Sequence, residues 1–227
     1  MMAWLVGWAA AWILIHRLIS GGPFRSGLVA RIGERPYRMS FAALSIVCLA
    51  GLGHAYANVK PTSIATAPWL VGIVAVIQLF ATLLTIAGLS TRNPATAGMA
   101  NLVDEPDIVR GMVRVTRHPF LWGILLWSAS HLLVRHDSAA LLFFGSIGAV
   151  AAMGMWSIDR KRRLALGAAW LDFSRRTSLV PFWAIAAGRQ TFAFGEIGLW
   201  RMVAAFVIWF ALLWLHPFLS GLHRSLV

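Results

Sequence analysis

His16, His118 and His131 lie in some of the most apolar parts of this chain, where an imidazole is poorly solvated and costly to keep. A neutral imidazole is the commonest protein ligand for transition metals and can bind haem iron axially, leaving no charge in lipid. Bis-histidine ligation needs two rings on opposite faces of the porphyrin, usually from different helices. His118 and His131 are thirteen residues apart in RVTRHPFLWGILLWSASHLL. That spacing puts them about 20 Å apart along a helix and about 140 degrees apart around it, so they cannot share one iron. Carboxylates are nearly absent from the apolar stretches, which disfavours a di-iron carboxylate centre or a proton-relay pump. For these three histidines, haem ligation and simple packing remain as the two readings.

The other polar residues at membrane depth have blander roles. His54 and His216 read as interfacial histidines bonded to water or a carbonyl, and His136 and His223 fall in exposed flanks. Gln78 suits an interhelical hydrogen bond. The one cysteine, Cys48, rules out an intramolecular disulfide and a cysteine-based metal cage.

The elements that must position these residues follow from hydropathy. With 59% hydrophobic residues, 12% charged residues and a mean hydropathy of +0.73, the composition is that of a membrane protein. A run of about 20 apolar residues spans a bilayer. The chain offers such runs at 3–20, 39–57, 67–89, 119–134, 138–158 and 198–219, the first being the weakest. The expected fold is all-α: a polytopic bundle of about six transmembrane helices. A further apolar piece, SLVPFWAIAAG (178–188), is too short to span and reads as interfacial or re-entrant. DEPDIVRGMVRVTRHP reads as an amphipathic lead-in to the fourth span, with Asp104, Glu105 and Asp107 near its start. The connections 20–38, 90–118 and 159–197 are each too short for an independent core, so residues 1–227 are expected to form one integral membrane domain.

A net charge of +12 raises the question of nucleic acid, and the placement of the basic residues answers it. Seventeen Lys and Arg fall in the connections after spans one, three and five, against three on the opposite side (Lys60, Arg135 and Arg224). That bias places the basic loops in the cytoplasm and both termini outside. The basicity is topological, with membrane lipid head groups as its partners and no nucleic acid expected. The first apolar run lacks a basic residue ahead of it and a small-residue cleavage site after it, so a removable signal peptide is not expected. The pattern suits a bacterial inner membrane protein. On depth alone, His16 and His118 fall toward cytoplasmic ends and pair better than His16 with His131.

Three blocks, IHRLISGGPFRSGLVARIGERPYRMSFAALS, RHPFLWGILLWSASHLL and SIDRKRRLALGAAWLDFSRRTSLVPF, resemble in this order the NnrU family, and the resemblance covers nearly the whole chain. That family includes bacterial membrane proteins associated with denitrification, and its plant relatives are the 15-cis-zeta-carotene isomerases, which carry a redox-sensitive b-type haem. The resemblance implies haem b as cofactor, axial ligation by His16 and His131, and a lipophilic polyene as substrate. His118 then becomes a neighbour of the site, or the ligand in place of His131. Where the plant enzymes have a cysteine one turn before the last histidine, this chain has Ser128, a poor haem ligand, so the resemblance does not extend to ligand switching. Arg117 suits a haem propionate or a lipid phosphate, with interfacial anchoring as the alternative, and Trp127 is placed to pack on a porphyrin or polyene, with a lipid-facing or core position as the alternative.

RHPFLWG also resembles the RHPxYxG motif with which isoprenylcysteine and phospholipid methyltransferases help hold S-adenosylmethionine. Leu121 stands where their tyrosine would be, and Asp159 and Arg160 replace a pair of glutamates. Methyl transfer is therefore a rival reading, and an assembly factor without a cofactor is a third.

Overall fold

In the computed structural model, which describes residues 1–20, 24–60, 62, 64 and 66–219, all regular structure is helical. Five helices are long and apolar enough to cross a membrane: Met2–Ser20, Glu34–Ala57, Pro68–Ser90, Ser138–Leu166 and Leu199–Phe218. Accordingly we read the chain as a helical membrane protein. The expected fourth span, Pro119–Val134, has 16 residues. It is about 24 Å long against a hydrocarbon core of about 30 Å, so this helix, rather than the first, is the marginal one. His223 lies outside the described residues.

The chain divides into two compact units, Met1–Val74 with Ser128–Gly154, and Ala75–Trp127 with Met155–Val227. In the first unit, α1 (Met2–Leu14) packs on α3 (Glu34–Ala57), with α2 (Phe24–Ile32) between them in sequence. Leu5 and Leu52 are fully buried in this contact, and Gly51 presents its bare Cα to the Trp8 indole. A β-carbon there would enter the ring, so the helices approach closely because this residue is glycine. After Leu14 the helix does not stop; it widens into a π-helix over Ile15–Ser20, whose Ile19 carbonyl accepts the Tyr37 hydroxyl at 3.1 Å. α2 is tied to the start of α3 by Arg25 and Glu34 at 2.7 Å.

α4 (Pro68–Ser90), α6 (Pro119–Val134) and α7 (Ser138–Leu166) each pass from one unit to the other. α4 and α6 begin with proline at the first helical position, where no amide donor is needed. The start of α7 is capped by Asp137, whose Oδ1 accepts the amides of Ala139 and Ala140, each at 3.1 Å. Near this end Tyr56 of α3 stacks on Phe143, with ring centroids 4.5 Å apart. α7 runs on to Leu166, eight residues past the expected end at 158, because Asp159 to Arg163 prolong the helix beyond its apolar part.

In the second unit, α4 and α6 meet at Gly88 and Gly123. A β-carbon on Gly88 would strike the backbone of Phe120, and one on Gly123 would lie 2.8 Å from the Ala81 carbonyl oxygen. The loops beside them are not independent but share a core. Ala95, Val103, Ile108, Val109 and Val113 from one connection pack with Trp170 and Phe173 of α8 (Ala168–Arg176) from another. Two segments too short to bury a core singly thus bury one together. The amphipathic lead-in is a departure from expectation: 104–111 forms turns, and only α5 (Met112–Val115) is helical. Gly111, at φ 56°, makes the turn that a longer helix would have replaced. Segment 178–188 contains the short α9 (Trp183–Ala186), followed by α10 (Phe194–Ile197) and the last long helix, α11 (Leu199–Leu219). Trp200, Phe206, Phe210 and Trp214 of α11 are exposed, as lipid-facing side chains would be.

Candidate functional site

His16 stands at the second residue of the π-helix, half-buried against Trp12 and Phe41. Ring centroids are 4.1 Å from Trp12 and 5.2 Å from Phe41, the latter edge-on. Its Nδ1 lies 2.8 Å from the Trp12 carbonyl oxygen, which can only accept, so Nδ1 carries the ring proton. The basic lone pair is therefore on Nε2. Metal-ligating histidines are characteristically held this way, with the far N–H on a backbone carbonyl or carboxylate. Single π turns, moreover, concentrate at functional sites because the wider winding re-aims a side chain.

His131, on α6 in the same unit as His16, lies flat on Phe144, with centroids 4.5 Å apart and planes 14° from parallel. Phe144 is itself buried and meets Tyr56 and Phe143 edge-on, so the ring plane of His131 is fixed by a packed aromatic cluster. One turn before each histidine is a buried polar atom with no hydrogen-bond partner among the described residues: Trp12 Nε1 and Ser128 Oγ. Leaving such a group unmade costs about 1–3 kcal/mol. Orphans of this kind call for an explanation, and a bound group is one.

The donor chemistry of these two imidazoles is of the kind haem takes. His16 offers an oriented Nε2, His131 offers a ring held in one plane, and both belong to one unit. Among the described residues no three His, Cys, Asp or Glu side chains cluster, and axial ligation by two histidines requires no such cluster.

Arg117 and His118 belong to the other unit and form a different constellation. Asp159 of α7 accepts the Arg117 Nε at 2.9 Å (Oδ2) and 3.1 Å (Oδ1), its Nη2 as well, and the His118 Nε2 at 2.7 Å. Nε2 of His118 is thus a donor to a carboxylate, unlike Nε2 of His16. The His118 side chain is 2% exposed and that of Asp159 18%. The turn carrying them is fastened on every side: Asn93 donates to the Arg117 carbonyl at 2.9 Å, the Arg117 amide to Ser178 at 2.9 Å, and the Phe182 amide to Val115 at 2.9 Å. Thr116 Oγ1 and Trp122 Nε1 both donate to the Leu179 carbonyl at 2.8 Å. Segment 178–182 is therefore a strap over the Arg-His-Pro turn. Trp127 lies in this second unit, half-buried, its carbonyl accepting Gln78 Nε2 at 3.4 Å, the interhelical bond expected of that glutamine.

Further along, Arg114 holds Glu196 through two parallel bonds of 2.8 and 3.0 Å, and the Gly111 amide adds a third at 2.8 Å. The Arg114 guanidinium, with that amide, pulls the Glu196 carboxyl down to about 2. His54 and His136 are exposed. Sequence reasoning missed Trp12, Asp159 and Glu196 as site or anchor residues. For Asp159 a signal existed: it is an acid at the end of an apolar span otherwise free of carboxylates.

The family model described as NnrU protein matches residues 4–224. The 15-cis-zeta-carotene isomerase, chloroplastic, of Zea mays is 30% identical over 174 residues, and the protein of the same name from Arabidopsis thaliana is 27% identical over 177. Each alignment covers 70% of this chain and 44% of the relative, so the chain spans under half the length of these curated relatives. No solved structure matches.

Proposed function

The chain belongs to the NnrU family, and from that premise we propose that it binds b-type haem between helices, with His16 and His131 as axial ligands, and isomerises a cis double bond of a lipophilic polyene. The observation that carries this reading is the orientation of His16: with Nδ1–H fixed on the Trp12 carbonyl, Nε2 is the ligating nitrogen. Two relatives named as zeta-carotene isomerases support the reaction class.

The residues have distinct tasks. Trp12 fixes the tautomer and tilt of His16, and Phe144 fixes the ring plane of His131. A ferrous haem held by His16 and His131 would supply electron density to a bound polyene, the chemistry that a cis–trans rotation needs. A lateral pocket between apolar helices would admit such a substrate from the bilayer. Arg117 and His118, both committed to Asp159, brace the strap and turn outside this chemistry. The protein belongs in a bacterial inner membrane, with its basic loops cytoplasmic and in contact with anionic lipid.

The test is an isomerisation assay on the full chain in lipid nanodiscs loaded with haem and a cis-carotene. Conversion only after dithionite reduction, absent from His16→Ala, is the expected result. Equal conversion with and without haem contradicts the proposal.

A further inference from the structure

Trp12 Nε1 and Ser128 Oγ, two of the buried polar atoms without a partner among the described residues, constrain what could bind beside them. In this structure hydroxyls on membrane helices are normally satisfied by the carbonyl one turn back: Ser45 bonds Phe41, Thr82 bonds Gln78, Thr85 bonds Ala81 and Ser90 bonds Ile86, all at 2.7–2.8 Å. Ser128 is 1% exposed and makes no such bond. Indole donors behave likewise: Trp122 reaches the Leu179 carbonyl and Trp209 the Ala75 carbonyl, each at 2.8 Å, whereas Trp12 Nε1 is buried and reaches nothing among the described residues. Both exceptions fall in the same unit, and each stands one turn before a histidine, on that histidine's face of its helix.

We propose that Trp12 and Ser128 are hydrogen-bonding contacts for a lipophilic ligand that carries a neutral oxygen, a ketone or hydroxyl, so that the natural ligand of this chain departs from the hydrocarbon carotene for which its relatives are named. An indole N–H only donates, so its partner is an acceptor, and a hydrocarbon polyene has none. A carboxylate is a poor match, because a charge at this depth met only by neutral donors is strongly disfavoured. Annular lipid esters do not supply the oxygen, since both atoms are shut off from the surface. A ligand reaches them only by inserting between the helices. This inference takes from the proposed function only the lipophilic polyene, and stands apart from haem.

The experiment compares binding of canthaxanthin, a diketone, with β-carotene, its hydrocarbon parent, to the full chain in nanodiscs, followed by carotenoid absorbance. The expected result is about a tenfold preference of the wild type for the diketone, the worth of one or two neutral hydrogen bonds. Trp12→Phe and Ser128→Ala should each erode that preference while the ligand-free melting temperature stays level or rises, because an unmatched buried donor has been removed. Equal binding of both carotenoids overturns the inference and leaves the polyene reading standing. Binding of neither overturns both. Variants that keep the full preference assign the selectivity elsewhere and also overturn it. A haem spectrum on the same samples reports separately on the cofactor.

Discussion

At the scale of single residues, the half-buried His16 and the buried His118 have opposite chemistry because of what one ring nitrogen meets. His16 gives Nδ1–H to a carbonyl and keeps Nε2 basic; His118 gives Nε2–H to Asp159. We expect His16→Ala and His131→Ala each to abolish or change the visible spectrum of the haem-loaded protein, and His54→Ala to leave it unchanged, all measured on detergent-purified samples. Asp159→Ala should cost about 3–5 kcal/mol in denaturant unfolding, because Arg117 and His118 are left buried without their carboxylate. If that variant is as stable as wild type, the bracing role assigned to Asp159 is wrong. The histidines were legible in the sequence because imidazole is conspicuous in apolar surroundings. Trp12 was not, since one indole among twelve carries no signal until its N–H is seen to lack an acceptor. Asp159 stood out as an acid at the end of an apolar span, but its partners did not, since they lie 41 and 42 residues away in sequence.

At the scale of elements, the long apolar helices were readable to within a residue or so at most ends, because a run of apolar side chains in lipid has no alternative to a helix, while α3 starts five residues earlier and α7 ends eight later than their apolar parts. What escaped were the places where tertiary contacts overrule pattern: the π turn after Leu14, the one-turn α5 where a longer amphipathic helix was expected, and the strap at 178–182. The Asp137 cap illustrates an element-level energy. Burial pushes its carboxyl up, but the Ala139 and Ala140 amides and Arg135 together bring it below its ordinary value. Asp137→Ala should therefore lower stability by about 1 kcal/mol, and the loss should shrink in acid as the wild-type carboxylate is protonated. Glu196 gives a second pH signature. Its carboxyl is lowered from 4.5 to about 2, so the stability it lends is complete above its unfolded value and is lost as the pH falls from there toward 2. Melting curves of wild type and Glu196→Gln should differ most near neutrality and converge at the acid end. Curves that stay parallel throughout contradict the Arg114 clamp.

At the scale of the whole molecule, the composition and the placement of basic residues already spoke for an all-helical membrane protein. The clustering of its contacts into two units, with three helices running through both, had no counterpart in hydropathy, because apolar runs record where helices are and not which of them pack together. The proposed ligands His16 and His131 share one unit, while the Arg117, His118 and Asp159 constellation belongs to the other. The measurement that bears most directly on this account is the absorption spectrum of the purified wild-type protein from a haem-replete host, as isolated and after dithionite. A Soret band with α and β bands that sharpen on reduction, the signature of six-coordinate low-spin haem, is what the account predicts. An intact, monodisperse protein with a flat visible spectrum would contradict it.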